Sequence, residues 1–256
     1  MTPIGIGGGL VMLILGLIFG PGIFSDNGTT TTQSSYGDVS ADSAREEPQV
    51  QFVSQVLDDV QDTWAGAFER AGGHYRPAKL VLFRDGTMSD CGPAQSAMGP
   101  FYCPIDEKVY LDLGFFDELE RRFSAPGDFA RAYVIAHELG HHTQHLQGID
   151  TRVREAQRKN PDVANLLSVR LELQADCYAG VWAHSAEDRG KLETGDIEEG
   201  LNAASAVGDD RIQRRTTGTV NVDSFTHGSA QQRVDWFKKG YESGNSKSCD
   251  TFSGPT

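Results

Sequence analysis

Phe52, Val53, Val56, Leu57, Val60, Trp64, Ala67 and Phe68 recur at intervals of three and four residues. That period places them on one face of a helix. Gly72-Gly73 ends it. The apolar runs Lys79 to Phe83, "KLVLF", and Lys108 to Leu113, "KVYLDL", predict two strands, separated by a Gly/Pro-rich loop that carries Cys91 and Cys103. Phe115 to Phe123 predicts a short helix, stopped by "SAPG". Asp128 stands where an N-cap belongs, and Phe129 to Gln147 continues as a helix without proline. Three further helices are expected, over Pro161 to His184, Asp196 to Arg215 and Ser229 to Ser243. Pro161, Gly195-Asp196 and Gly228-Ser229 all suit helix starts. No internal repeat interrupts this order, and it predicts an α+β domain, mostly helical with a small sheet.

Two segments at the N-terminus break the globular pattern. Pro3 to Phe24, "PIGIGGGLVMLILGLIFGPGIF", carries no charged side chain. As a helix rising about 1.5 Å per residue it would cross a hydrocarbon core of about 30 Å. A cleaved signal peptide fits less well, because a basic n-region and a small-residue cleavage site after the apolar core are both missing. Ser25 to Gln49 is rich in Thr, Ser, Asp and Gly and poor in aliphatics, the composition of a flexible tether. The expected organisation is therefore a transmembrane anchor at 3–24, a linker at 25–49 and a globular domain at 50–256. No Lys or Arg follows the span until Arg45, so the domain is expected outside the cytoplasm, on a single-pass cell-membrane protein.

Charge narrows the partners. With 23 Lys+Arg against 36 Asp+Glu the net charge is −13. Such a surface repels phosphate backbones, which excludes nucleic acid as the expected partner.

Within the Phe129 to Gln147 helix lie His137, His141, His142 and His145, of seven histidines in the chain. His137-Glu138-Leu139-Gly140-His141 is H-E-x-x-H. Residues four apart share a helix face, so two imidazoles can converge on one metal ion while the adjacent glutamate serves as general base toward a water. A catalytic zinc site needs a third protein ligand. Further on, "RLELQADCYAG" places Glu172 and Asp176 four apart on another predicted helix, among Leu171, Leu173, Ala175 and Tyr178. Carboxylates at this spacing commonly decorate solvated faces, but this setting is apolar. Glu172 is the expected third ligand, and Asp176 the expected hydrogen-bond partner of a ligating histidine.

The segments "CGPAQSAMGPFYCP", "VYLDLGFF", "GDFARAYVIAHELGHHTQ", "SVRLELQADCYAGVW", "GDIEEGLNAASAVGDD", "FTHGSAQQRVDWFKKGY" and "CDTF" resemble the neutral zinc metallopeptidase family of bacteria. This is a gluzincin-like group that usually carries an N-terminal membrane anchor, and the likeness runs from about Cys91 to Phe252. It implies a zincin-like fold, one Zn2+ per chain on His137, His141 and Glu172, and Glu138 as catalytic base. The chain departs from the pattern in its short N-terminus, which lacks the basic, glycine-rich stretch that often precedes the anchor. His227, in "SFTHGSAQQR", is a candidate donor to the oxyanion, with a capping-loop role as its alternative. His142 and His145 are expected at the surface or behind the ligands, and His74 and His184 are expected to be structural.

Cys91 and Cys103 bracket the Gly/Pro loop, and neither cysteine spacing is C-x-x-C. A local bridge Cys91–Cys103 leaves Cys177–Cys249, and four buried free thiols are the alternative. Outside the cytoplasm two disulfides are expected. The expected activity is zinc-dependent endopeptidase action on a peptide or protein substrate at the membrane, with "KVYLDL" as a candidate edge for pairing with extended substrate. A catalytically silent scaffold of the same fold is the alternative. Retention of Glu138 speaks against it.

Overall fold

The computed structural model describes residues 39–95, 99–116, 119, 121 and 127–254. The expected anchor at 3–24 lies outside the described residues. Among those described, no helix is long and apolar enough to cross a membrane.

Helix α1, Val39–Arg70, begins inside the segment read as linker and runs through Pro48. The tether reading is corrected for residues 39–49, and its remainder lies outside the described residues. Contacts beyond the segment override its weak local preference: the Glu46 carboxylate pairs with Arg84, and farther on Val53, Leu57, Val60 and Trp64 are buried. Asp59 accepts the indole N–H of Trp182 at 2.9 Å and tethers the helix to a later one.

The strands are β1, Lys79–Phe83; β2, Gly86–Ser89; β3, Gly92–Gln95; β4, Phe101–Cys103; and β5, Lys108–Asp112. Strands β1 and β5 pair in parallel and β4 joins β5 antiparallel, giving the order β1-β5-β4, while β2 and β3 form a separate hairpin. The "KVYLDL" segment is thus the central strand and offers no free edge, which corrects its expected role in substrate pairing. The hairpin and β4 fall in the stretch read as a loop. They are held by a small core of Phe83, Ala94, Phe101, Cys103 and Tyr110, with Cys91 bonded to Cys103 across a Cα separation of 5.8 Å.

Residues 115, 116, 119 and 121 are helical, and the rest of the short helix expected there lies outside the described residues. Helix α2, Asp128–Leu146, crosses the middle of the domain. Asp128 is not its cap: Gly127 holds that position at φ 113°. Instead Glu199, from a distant segment, accepts the N–H of Phe129 at 3.2 Å. A Cβ on Gly127 would lie 2.0 Å from that carboxylate, so the cap position has no room for its own side chain.

Then follow α3, Ile149–Lys159; α4, Ala164–Asp188, entered through a 3-10 turn at Pro161–Val163; α5, Asp196–Ala206; α6, Asp209–Thr216; and α7, Ala230–Ser243. The single helix expected over Asp196 to Arg215 breaks in two before Asp209. Gly208 packs so tightly on the start of α7 that a Cβ there would lie 2.3 Å from the Ala230 nitrogen. The N–H of Asp209 then turns to the Gly228 carbonyl at 2.9 Å. Ser229 caps α7 as expected, in a reciprocal capping box with Gln232.

Helices α4 and α7 make the most intimate contact in the domain, and glycines permit it. A Cβ on Gly180 would lie 2.1 Å from the Phe237 carbonyl oxygen, and one on Gly240 would lie 1.9 Å from that of Cys177. The second disulfide, Cys177–Cys249, joins α4 to a 3-10 turn at Ser246–Cys249. It spans 72 residues of chain, and closing a loop of this size stabilises by about 4 kcal/mol in the chain-entropy model.

Gly240→Ala is expected to force the two helices apart and destabilise the domain by about 1–3 kcal/mol, the usual range for overpacking. Urea unfolding reads this as a lower midpoint; an unchanged midpoint would contradict the close approach.

Candidate metal centre

His137 and His141 sit one turn apart on α2, with Glu138 between them, and all three lie on the inner side of the helix. The glycine of the motif brings the second helix in. A Cβ on Gly140 would lie 3.1 Å from both Cα and carbonyl oxygen of Ala175, so α4 crosses α2 almost backbone to backbone. Ala175 is flanked on α4 by Glu172 and Asp176, and the crossing delivers both carboxylates to the histidines.

The geometry is that of a three-donor centre. The Glu172 carboxylate lies 3.1 Å from His137 Nε2 and 3.5 Å from His141 Nε2. One donor atom from each of His137, His141 and Glu172 lies within 4.8 Å of the others. Behind the cluster His137 Nδ1 lies 2.9 Å from Asp176 Oδ1. An Nδ1–H donated to this carboxylate leaves the Nε2 lone pair facing Glu172. Asp176 is fully buried against the Nδ1 side of His137, away from the three clustered donor atoms.

Two residues that the sequence reading missed complete the back of the site. Arg233 of α7, itself buried, donates to Asp176 from Nε at 2.8 Å and from Nη2 at 2.9 Å. Tyr133, one turn before His137, donates to Asp176 Oδ1 at 2.5 Å. Tyr133 shares the His137 face by its four-residue spacing, a readable signal; Arg233 is remote in sequence and gave none.

Electrostatics follow from these contacts. Burial opposes ionisation of Asp176, yet Arg233 and His137 hold its carboxyl below the usual range. Burial likewise opposes ionisation of Glu172, and the His141 charge with the His137 and His141 hydrogen bonds brings it well below the usual range. For His137, burial works against the charged ring, but Asp176 and Glu172 outweigh it and raise its pKa to about 10. Carboxylate and imidazole thus stabilise each other's charged forms across the cluster. Two imidazoles and a carboxylate are the His2Glu donor set of catalytic zinc, so the residues fit a Zn2+ ion.

Glu138 is buried at 8 % exposure. Burial raises its carboxyl above the usual carboxylate range, against the pull of His141, His137 and the backbone N–H of Tyr102 in β4. Strand β4 thus spends part of its outer edge on the glutamate.

His227 lies in the turn before α7. Asp209, at the start of α6, builds this turn: its carboxylate accepts the N–H groups of Thr226 and His227 at 2.7 Å each and of Gly228 at 3.1 Å, and lies 3.1 Å from His227 Nδ1. His142 corrects an expectation. It is fully buried behind α2, between the Tyr102 hydroxyl at 2.9 Å and the Arg76 carbonyl at 2.6 Å, and has no part in the centre. His145 pairs with Asp150 at 2.9 Å, away from the donors, and the ring of His184 bonds the Tyr241 carbonyl at 2.7 Å.

Residues 2–252 match the family described as "Putative neutral zinc metallopeptidase". The chain is 49% identical over 248 residues to the "Uncharacterized protein YpfJ" of Escherichia coli K12, covering 96% of this chain and 86% of that protein. It is 47% identical over 192 residues to the "Uncharacterized protein Rv2575" of Mycobacterium tuberculosis H37Rv, covering 71% of this chain and 64% of that one. No solved structure matches it. A family model spanning nearly the whole chain, on a fold that gathers His137, His141 and Glu172 at one point, has one consequence: the protein belongs to the neutral zinc metallopeptidase family.

Proposed function

We propose that this protein is a membrane-tethered zinc endopeptidase, with one Zn2+ per chain held by His137, His141 and Glu172. The observation that carries the reading is the convergence of these three donors beside a buried carboxylate, Glu138, that none of them needs for structure. Zinc in such a site polarises a substrate carbonyl and makes a water a better nucleophile at neutral pH. Glu138 takes the proton of the attacking water on its carboxylate and passes it to the leaving amine. Its burial favours the protonated form it adopts between these two transfers. His227 donates a hydrogen bond to the carbonyl oxygen as that oxygen gains negative charge, with its Nδ1 side fixed by Asp209. Asp176, gripped by Arg233 and Tyr133, keeps His137 in the ligating orientation.

The uncharged Pro3 to Phe24 segment supports a membrane anchor. Both cysteine pairs are bonded, which supports an oxidising compartment outside the cytoplasm. Peptides or proteins reaching the outer membrane face are the corresponding substrates.

Purified full-length protein should carry one zinc per chain. Glu138→Gln should keep that zinc and lower peptide hydrolysis by about 10²- to 10⁴-fold, because only proton transfer is lost; Glu172→Gln should lose the zinc itself. Elemental analysis and a peptide-library digest separate the two, and identical behaviour of both variants would contradict the division of roles.

Peptide mapping without reductant, on protein taken from its native membrane, should find Cys91 joined to Cys103 and Cys177 joined to Cys249. Four alkylatable thiols there would place the domain in the cytoplasm.

A further inference from the structure

His137 has Asp176 and Arg233 behind it. Among the described residues no carboxylate bonds His141 Nδ1, which faces a neutral side chain, Gln144 Oε1, at 2.9 Å. A primary amide can present either its oxygen or its nitrogen, so this contact alone leaves the ring tautomer open. The next links close the question. Gln144 Nε2 donates to the backbone carbonyl of Leu171 at 2.7 Å and to Gln174 Oε1 at 3.1 Å. Gln174 Nε2 in turn donates to the backbone carbonyl of Cys249 at 2.9 Å.

A backbone carbonyl only accepts. The Leu171 and Cys249 carbonyls therefore fix both amides with nitrogen outward and oxygen toward the histidine. With oxygen at that end, His141 Nδ1 must be the donor, and its Nε2 lone pair is left toward Glu172. Gln144 is fully buried and Gln174 nearly so, at 5 % exposure. In so buried a setting, reversing either amide would set two acceptors against each other in the interior.

The outer end of the chain is anchored as well. Cys249 is bonded to Cys177, one residue after Asp176. The turn that supplies the terminal carbonyl is thus covalently tied to the helix that supplies Glu172.

We propose that Gln144 and Gln174 are positioning residues: an amide chain, oriented from the disulfide-held Cys249 carbonyl, that fixes the tautomer and ring angle of His141 for metal. This rests on the zinc site proposed above. It extends that site to the C-terminal turn.

The test uses the full-length protein and zinc itself as probe, with affinity read by chelator competition and the zinc-free fold read by thermal unfolding. Gln144→Met keeps the volume and removes the acceptor, and should weaken zinc by about 10–100-fold, as loss of a partner behind a ligand does. Gln144→Glu restores an acceptor for His141 and should recover part of that loss, although it can no longer donate to Leu171. Gln174→Met leaves the direct partner of His141 in place and should give a smaller weakening in the same direction. Histidine 15N spectra of the zinc-bound wild type should show His141 protonated at Nδ1. Wild-type zinc affinity in both methionine variants, or in Gln174→Met alone should Gln144→Met not fold, would overturn the chain. So would equal weakening in Gln144→Met and Gln144→Glu. Absence of tight zinc binding in the wild type would overturn the metallopeptidase reading itself.

Discussion

The crossing of α2 over α4 at Gly140 and Ala175 sets the distance on which everything at the centre depends. Side chains hold most helix pairs about 8–10 Å apart. Here the motif contributes a glycine where the partner helix passes, so a Cβ would already stand 3.1 Å from the Ala175 backbone. With the axes that close, short carboxylates reach across: Glu172 comes between the two histidines, and Asp176 comes behind the first. Two glycines, Gly180 and Gly240, repeat the device between α4 and α7 and bring Arg233 within reach of Asp176. Three helices are therefore locked at the depth the donor geometry requires.

Burying this much charge is costly unless each group is matched. Asp176 meets Arg233 in two hydrogen bonds, a hydroxyl from Tyr133 and the ring of His137. Asp209 is matched by three backbone N–H groups and His227. Glu172 is set against the two imidazoles, 3.1 Å from His137 Nε2 and 3.5 Å from His141 Nε2, a donor set that fits a divalent cation. The two histidines are supported unequally, His137 by a full charge and His141 by a neutral amide. A carboxylate behind one ligand raises its basicity, while an amide behind the other holds orientation without adding negative charge.

The sequence disclosed the parts of this account that depend on short spacing. H-E-x-x-H and the four-residue step from Glu172 to Asp176 report a helix face directly, and the structure brings these residues together. Strands β1 and β5 were legible as apolar runs, but their order was not. Which run lies at the centre of a sheet depends on pairing, and the short β4 left too few residues to register as a strand. Arg233 was illegible because an arginine looks the same whether solvated or buried, and its partner lies on another helix. Asp128 looked like a cap by residue type. The cap position fell to Gly127 because Glu199 already fills the space. His142 was expected at the surface or behind the ligands, yet it is fully buried against Tyr102 and the Arg76 carbonyl.

The central claim is that a single zinc ion sits between His137, His141 and Glu172, with Asp176 and Glu138 outside its ligand set. Anomalous diffraction at the zinc edge, from crystals of the zinc-loaded protein, tests it most directly. The account predicts one peak at about 2.0–2.2 Å from Nε2 of both histidines and from a Glu172 oxygen. A peak ligated by Asp176 or Glu138, or one located away from these three side chains, would contradict it.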